Sequence, residues 1–268
     1  MTGHARKKDT MVETKATQVV GIIPARFGST RFPGKPLAEI LGKSMIQRTY
    51  ENSKKCSSLD DVIIATDDVR IYDHVTAFGG KVVMTSPDCP TGSDRLIEAV
   101  RNQPHLNDSS IIVNIQGDEP CLEPDVIEGV VNLLLQDPTA LMSTAIMKIH
   151  SESEALNPSV VKCSIDRHGH ALYFSRSLIP GATNAQFNPA ITYFKHIGIY
   201  GYRKSFLENY GTLSSTPLQL AESLEQLKVL EHGYKIKTII VDSSSISVDH
   251  PEDIKKVETL LCKQNIYS

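Results

Sequence analysis

Three cations, Arg26, Arg31 and Lys35, lie close together in the string PARFGSTRFPGKP at residues 24–36, with Gly28, Pro33, Gly34 and Pro36 between and beside them. The string follows an apolar run, QVVGIIP at 18–24. A loop leaving a buried strand with free backbone amides and cationic tips is suited to wrapping a polyphosphate. It is not a Walker A loop, because five residues separate Gly28 from Gly34 and Pro36 follows Lys35 in place of Ser or Thr. Gly42-Lys43-Ser44 fails the same test, since Leu37 stands where the first glycine belongs. The competing account, an exposed turn with incidental charge, is weakened by the loop's position after the first strand.

The second group is Gln116-Gly117-Asp118-Glu119-Pro120, at the end of the apolar run SIIVNIQ at 110–116. Mg²⁺ prefers hard oxygens, supplied by one or two carboxylates together with substrate phosphates. Asp118 is the first candidate ligand and Glu119 an alternative. Asp249, in Val-Asp-His-Pro before a helical stretch, reads on its own as a helix cap. No Ser-His-Asp or His-Glu-x-x-His arrangement offers a competing chemistry.

The elements that must position these groups alternate in type. Strands are predicted at 18–24, 61–66, 81–84 and 110–116, with helices at 43–55, 69–78, 94–101 and 126–136. Repeated βαβ units with apolar strands imply a mostly parallel central sheet with helices on both faces, an α/β fold that binds ligands at the strands' C-terminal ends. After residue 140 the pattern changes. Strand-like segments at 141–148, 160–165, 171–174 and 196–202 come close together, as a smaller mixed-sheet insertion at about 150–215 would require. A helix is predicted over 218–231, stopped by Gly233, then a strand over 235–241 and a helix over 251–262. The division is a tail at 1–17, one domain at 18–262 and a short C-terminal tail at 263–268.

Composition narrows the class. With 268 residues, 40% apolar and 22% charged, the chain has ordinary globular usage. A net charge of -3 argues against a nucleic-acid partner, so an anionic ligand must be caught by a local cluster of cations. The five cysteines never form a CxxC pair and read as small buried hydrophobes in a reducing compartment. The first residues carry charge without an apolar segment behind them, and no run is long enough to span a bilayer, so a cytoplasmic protein without a membrane partner is expected.

The string IIPARFGSTRFPGKPL at 22–37 resembles the signature loop of the 3-deoxy-manno-octulosonate (Kdo) cytidylyltransferases, within the sugar nucleotidyltransferases. The resemblance continues through TDD at 66–68, TGSDRL at 91–96, VNIQGDEP at 113–120, LYFSRSLIP at 172–180, KHIGIYGY at 195–202, LEQLKVLEHG at 224–233 and VDHPEDI at 248–254. It implies a Rossmann-like nucleotidyltransferase fold, a homodimer, and Mg²⁺-dependent transfer of CMP from CTP to Kdo for lipopolysaccharide biosynthesis. A CMP-sialate synthetase would keep the loop and the aspartates but change the acceptor segment. A non-catalytic homologue would keep the fold alone, and intact Arg26, Lys35, Asp118 and Asp249 count against it.

The resemblance also implies roles. Arg26 and Lys35 match the family's loop cations and clamp the triphosphate, beside Ala25 and helped by Ser29 and Arg31. Asp249 matches a second metal ligand, joining Asp118. Gln116, Ser93 and Arg95 belong to base selection, although the residues by themselves do not distinguish cytosine from uracil. The usual Thr-Gly-Thr-Glu-Arg stands here as Thr-Gly-Ser-Asp-Arg, a conservative departure that leaves Asp94 plausible as a helix cap. Arg176, His196, Tyr200, Glu225 and Gln226 are assigned to the acceptor. Taken singly, Arg176 reads equally as a surface ion pair, His196 as a core histidine, and Glu225 and Gln226 as solvated helix positions.

Overall fold

Neighbouring residues of the first apolar run go to opposite sides of a sheet. In β1 (Val19–Ala25), Val19, Ile23 and Ala25 pack into one layer and Val20 and Ile22 into the other. Both faces are covered, which is why the strand reads as an unbroken apolar run. The structure, a computed structural model, describes residues 17–28, 32–182, 186–242 and 246–267, with side chains to residue 263.

A 3₁₀ turn at Lys35–Leu37 and a two-strand hairpin, β2 (Glu39–Ile40) and β3 (Lys43–Ser44), lead into α1 (Met45–Ser53). Then come β4 (Asp61–Thr66), α2 (Val69–Ala77), β5 (Val82–Met84), α3 (Gly92–Arg101), β6 (Ile111–Asn114) and α4 (Pro124–Gln136). The second half supplies β7 (Met142–Lys148), α5 (Glu152–Leu156), β8 (Lys162–Ile165), β9 (Ala171–Ser175), β10 (Phe194–Arg203), α6 (Lys204–Tyr210), α7 (Pro217–Glu222), α8 (Gln226–Glu231), β11 (Ile236–Val241) and α9 (Asp253–Tyr267).

Among the described residues the large sheet has nine strands, seven of them in the order β11-β7-β10-β6-β1-β4-β5, with β8 and β9 off this path. Strand β10 runs antiparallel to β6 and β7, while β11–β7, β6–β1, β1–β4 and β4–β5 are parallel. The chain leaves β1 for β4 on one side and later returns to β6 on the other, so the order reverses between β1 and β6. Ligands of open α/β sheets bind at that reversal, beyond the strands' C-terminal ends. The two ends approach closely there, since a Cβ on Gly117 would lie 3.1 Å from Pro24 O.

Helices α1, α2 and α4 cover one face through Ile46, Tyr50, Ile71, Val75 and Val126, while α3, α6 and α8 cover the other through Leu96, Ile97, Phe206, Leu207 and Leu227. Helix α9 closes over the β2–β3 hairpin, with Val257 beside Ile40 and Met45.

Three details depart from the sequence reading: the helix over 218–231, the end of the last helix and the burial of two cysteines. The helix expected over 218–231 is two helices, because Ser223 takes a left-handed conformation (φ 53) and Leu224 N–H donates to Gln219 O. Gly233 does end the second of them, at φ 81. The segment expected as a mixed-sheet insertion carries β8 and β9 off the main path of the sheet and β10 within it, with β8 paired to the first residues of β10. The last helix runs on to Tyr267, past the expected stop at residue 262. Cys56, Cys121 and Cys163 are buried as expected, but Cys89 is half-buried and Cys262 exposed.

Candidate active site

The loop after β1 folds back on itself through backbone bonds from Gly34 N–H to Phe27 O (3.1 Å) and from Lys35 N–H to Phe32 O (3.1 Å). Gly34 has φ 71, where a side chain would be strained and its Cβ would meet the Phe27 ring at 3.1 Å. This turn delivers Lys35 to the end of β6, where its Nζ lies 2.6 Å from Asp118 Oδ2 and 3.8 Å from Asp249 Oδ1.

Asp249 reaches this place through the backbone. Val248 N–H donates to Asp118 O at 2.9 Å, pinning the chain before α9 against the loop after β6. The turn into α9 is closed by Asp253, whose Oδ2 accepts from the N–H groups of Asp249 (3.1 Å) and His250 (3.0 Å). Lys256 beside Asp253 and these amides hold its carboxyl down to about 2. Glu119, next along the chain from Asp118, has Oε2 buried and without a partner among the described residues, and burial, reinforced by Asp118 and Asp249, pushes its carboxyl up to about 8. Two carboxylates thus converge on one ammonium, with a third carboxyl of raised pKa close by.

A cavity of about 420 Å³ opens over these groups, lined by Ala25, Arg26, Lys35, Gln116, Asp118 and Asp249, and on the far side by Cys89, Thr91, Gly92 and Arg95. The far wall is α3's N-terminus, where Thr91 and Asp94 form a capping box, so Asp94 does serve the helix end. Arg95 is only 3% exposed and its guanidinium is already engaged, by Asp67 Oδ2 (2.7 Å), Thr85 Oγ1 (2.5 Å) and Ser86 O (3.4 Å). It anchors the wall from behind. Cys89 donates to Glu98 (3.1 Å), and burial raises its thiol to about 11, leaving an inert lining group.

A second cavity of about 300 Å³ shares Pro24, Gly92, Gln116 and Glu225 with the first and adds Ser93, Asn114, His196, Tyr200 and Gln226. The break between α7 and α8 presents Glu225 here, where its Oε2 accepts from Ser93 Oγ (2.6 Å) and Tyr210 OH (3.3 Å). Thr144 Oγ1 donates to Ile199 O at 2.6 Å and lies 3.0 Å from His196 Nε2. The imidazole therefore donates through Nε2 and keeps Nδ1 as an acceptor. Burial against Phe174 and Tyr200 lowers its pKa to about 3, so the ring is neutral. Burial also raises the Tyr200 phenol well above its ordinary value.

The structure thus brings Ala25, Arg26, Lys35, Arg95, Gln116, Asp118 and Asp249 around one cavity and His196, Tyr200, Glu225 and Gln226 around the other. Ser93, expected beside the nucleotide, faces the second cavity because it bonds Glu225. Arg176 lines neither; its Nε donates to Glu222 O (3.0 Å) and its Nη1 to Pro158 O (3.3 Å). Ser29 and Arg31 lie outside the described residues. The sequence reading missed Asn114 in the second cavity and the anchoring role of Asp67; one polar residue interrupting the apolar run of β6 was the available signal for the first.

The cytidylyltransferase family matches residues 20–239. The chain is 59% identical over 250 residues to the 3-deoxy-manno-octulosonate cytidylyltransferase of Protochlamydia amoebophila, covering 93% of this chain and 96% of that protein. Identity to the mitochondrial enzyme of that name from Arabidopsis thaliana is 48% over 250 residues, 93% of this chain and 85% of that one. The solved structure of CMP:2-keto-3-deoxy-manno-octonic acid synthetase complexed with CTP superposes with a TM-score of 0.86 at 41% identity, over 92% of this chain and 100% of that one. A cytidylyltransferase from Leptospira borgpetersenii shares the fold, with a TM-score of 0.62 at 16% identity over 92% of this chain and 87% of that one. A match across most of the chain, to relatives of nearly the same length, places this protein in the cytidylyltransferase family, among the 3-deoxy-manno-octulosonate cytidylyltransferases.

Proposed function

We propose that this protein transfers CMP from CTP to Kdo, releasing CMP-Kdo and pyrophosphate, with Mg²⁺ as its metal. The observation that supports this most directly is the shared wall: two polar cavities meet at Gln116 and Glu225, one beside clustered cations and carboxylates, the other lined, besides Glu225, by neutral hydrogen-bonding groups such as Ser93, Asn114, His196 and Tyr200. A triphosphate in the first and a polyhydroxylated acceptor in the second would bring a hydroxyl to the α-phosphate.

In the transfer, the acceptor oxygen forms a bond to the α-phosphorus, the bond from that phosphorus to the bridging oxygen of pyrophosphate breaks, and the hydroxyl proton leaves to solvent. Arg26 and Lys35 offset the charge of the triphosphate and of departing pyrophosphate. Gln116 orients donor and acceptor together from the wall it shares. His196, neutral, supplies hydrogen bonds without adding charge near the phosphate.

The donor set fits Mg²⁺. Asp118 and Asp249 already converge on one cation, Lys35 Nζ, and no group of three or more His, Cys, Asp or Glu capable of holding a metal occurs among the described residues. Asp118 and Asp249 would therefore hold the ion together with substrate oxygens, and the ion would supply charge neutralisation at the phosphate and the acceptor hydroxyl. A homodimer, a cytoplasmic location and a role in lipopolysaccharide synthesis belong to the same proposal; no helix among the described residues is long and apolar enough to cross a membrane.

Pyrophosphate release, measured with each of the four nucleoside triphosphates and with Kdo or sialic acid as acceptor, tests the reading. Release confined to CTP, Kdo and Mg²⁺ is the expected result. Turnover with sialic acid in place of Kdo would overturn the acceptor, and no release with any acid sugar would overturn the activity.

A further inference from the structure

The last residue of β6 is polar where the strand is otherwise apolar. Asn114 is 4% exposed, pairs in the sheet between Ile22 of β1 and Tyr200 of β10, and lines the second cavity. Strand alternation places it on the face of Ile112, away from Ile111 and Val113, and two residues before Gln116 on the shared wall. Its Oδ1 is buried and has no hydrogen-bond partner among the described residues.

Buried polar atoms are seldom left this way, since water is surrendered without replacement. The other polar groups of the cavity are differently placed. Glu225 is engaged by Ser93 and Tyr210, and His196 Nε2 is engaged by Thr144. Asn114 Oδ1 is an acceptor carried by a central strand of the sheet, with its need for a donor unmet among the described residues. A sugar hydroxyl is a donor of the right kind, and the cavity opens onto the wall beside the nucleotide.

We propose that Asn114 is a further specificity-determining residue of the acceptor cavity, whose Oδ1 accepts a hydrogen bond from one hydroxyl of the acceptor sugar. This deepens the reading above and rests on it. A site built to receive that hydroxyl discriminates against sugars that lack it, because binding them leaves the carbonyl oxygen buried and unpaired.

Asn114→Leu removes the acceptor while keeping the branched shape of the side chain, and Asn114→Ala removes it without risk of overpacking. Both are expected to raise the KM for Kdo about tenfold, with CTP affinity, measured by calorimetry without sugar, within about twofold of wild type. The melting temperature of the Leu variant is expected to be unchanged or higher. With singly deoxygenated Kdo analogues, wild type should lose about the same factor on one analogue, and the variants should turn over that analogue and Kdo alike. An unchanged KM for Kdo in both variants, pointing to an internal water on Oδ1, would overturn the inference. So would equal losses of CTP affinity and acceptor use, or a fall in melting temperature without a change in KM. Wild type inactive with Kdo would sink the proposed function and this inference together, whereas active wild type with indifferent variants would sink this inference alone.

Discussion

The ammonium of Lys35 lies 2.6 Å from Asp118 Oδ2, an ion pair that joins the loop after β1 to the loop after β6. The same ammonium is 3.8 Å from Asp249 Oδ1, so it serves as counter-cation to both carboxylates. A triphosphate entering this cavity competes for Lys35, and a divalent ion competes for the aspartates.

Lys35→Ala is therefore expected to have two separable effects. Losing a charge-assisted phosphate contact worth about 1.5–3 kcal/mol lowers kcat/KM for CTP by roughly one to two orders of magnitude. Leaving Asp118 and Asp249 without their cation makes Mg²⁺ alone, without CTP, raise the melting temperature more in the variant than in wild type. Near-wild-type kcat/KM would remove Lys35 from the phosphate site, and equal Mg²⁺ shifts would remove the competition.

The two aspartates and Asp253 should separate by readout. Asp118→Asn and Asp249→Asn keep shape but lose charge, so turnover falls by orders of magnitude and responds weakly to added Mg²⁺. Asp253→Ala, which strips the acceptor from the Asp249 and His250 amides, costs about 1 kcal/mol of stability in denaturant titrations. An Asp249 variant that loses stability but keeps activity per folded molecule would make Asp249 a helix-turn residue and leave the ion to other ligands.

What was legible in the sequence follows from range. The strand at 61–66 is bounded by local signals and coincides with β4. Asp118 and the loop cations were readable because a buried strand hands its following residues to the crevice. The meeting of Asp249 with Asp118 was not readable from the residues alone, since one backbone bond from Val248 across the fold makes it. The break at Ser223 was hidden because a serine in a left-handed conformation has no strong local signal, unlike Gly233. Arg95 and Ser93 show a further limit: type and spacing fix which groups are available, while Asp67 and Glu225, distant in sequence, decide where they point.

His196, half-buried in the wall of the second cavity, makes the fold acid-sensitive. Unfolded, an imidazole takes its proton near pH 6.5; folded, burial pushes that down to about 3. Between these values the unfolded chain holds a proton that the folded chain lacks, so this contribution to stability is lost as pH falls from about 6.5 towards 3. His196→Gln should flatten the dependence of urea-unfolding free energy on pH between 6 and 4 by up to about 1.4 kcal/mol per pH unit. Parallel curves for the two proteins would show that His196 is protonated in the folded state over this range.

Arg176 decides between touching the acceptor and holding the wall that does. Its guanidinium bonds two backbone carbonyls, Glu222 O and Pro158 O, while the Glu222 carboxylate accepts from the Arg176 N–H (2.9 Å) and from Ser175 Oγ (2.6 Å). These bonds staple the end of β9 to the break between α7 and α8, three residues ahead of Glu225. Arg176→Ala is expected to raise the KM for Kdo severalfold with calorimetric CTP affinity unchanged, and Arg176→Lys to restore part of the loss, because one ammonium cannot reproduce a fork that reaches two carbonyls. An acceptor lacking the carboxylate separates the two roles. If Arg176 positions the wall, the wild-type to Ala ratio is the same for that acceptor as for Kdo. If it pairs with the carboxylate, as the family resemblance implies, the ratio collapses to one, and the bonds to Glu222 and Pro158 must give way when the acceptor enters.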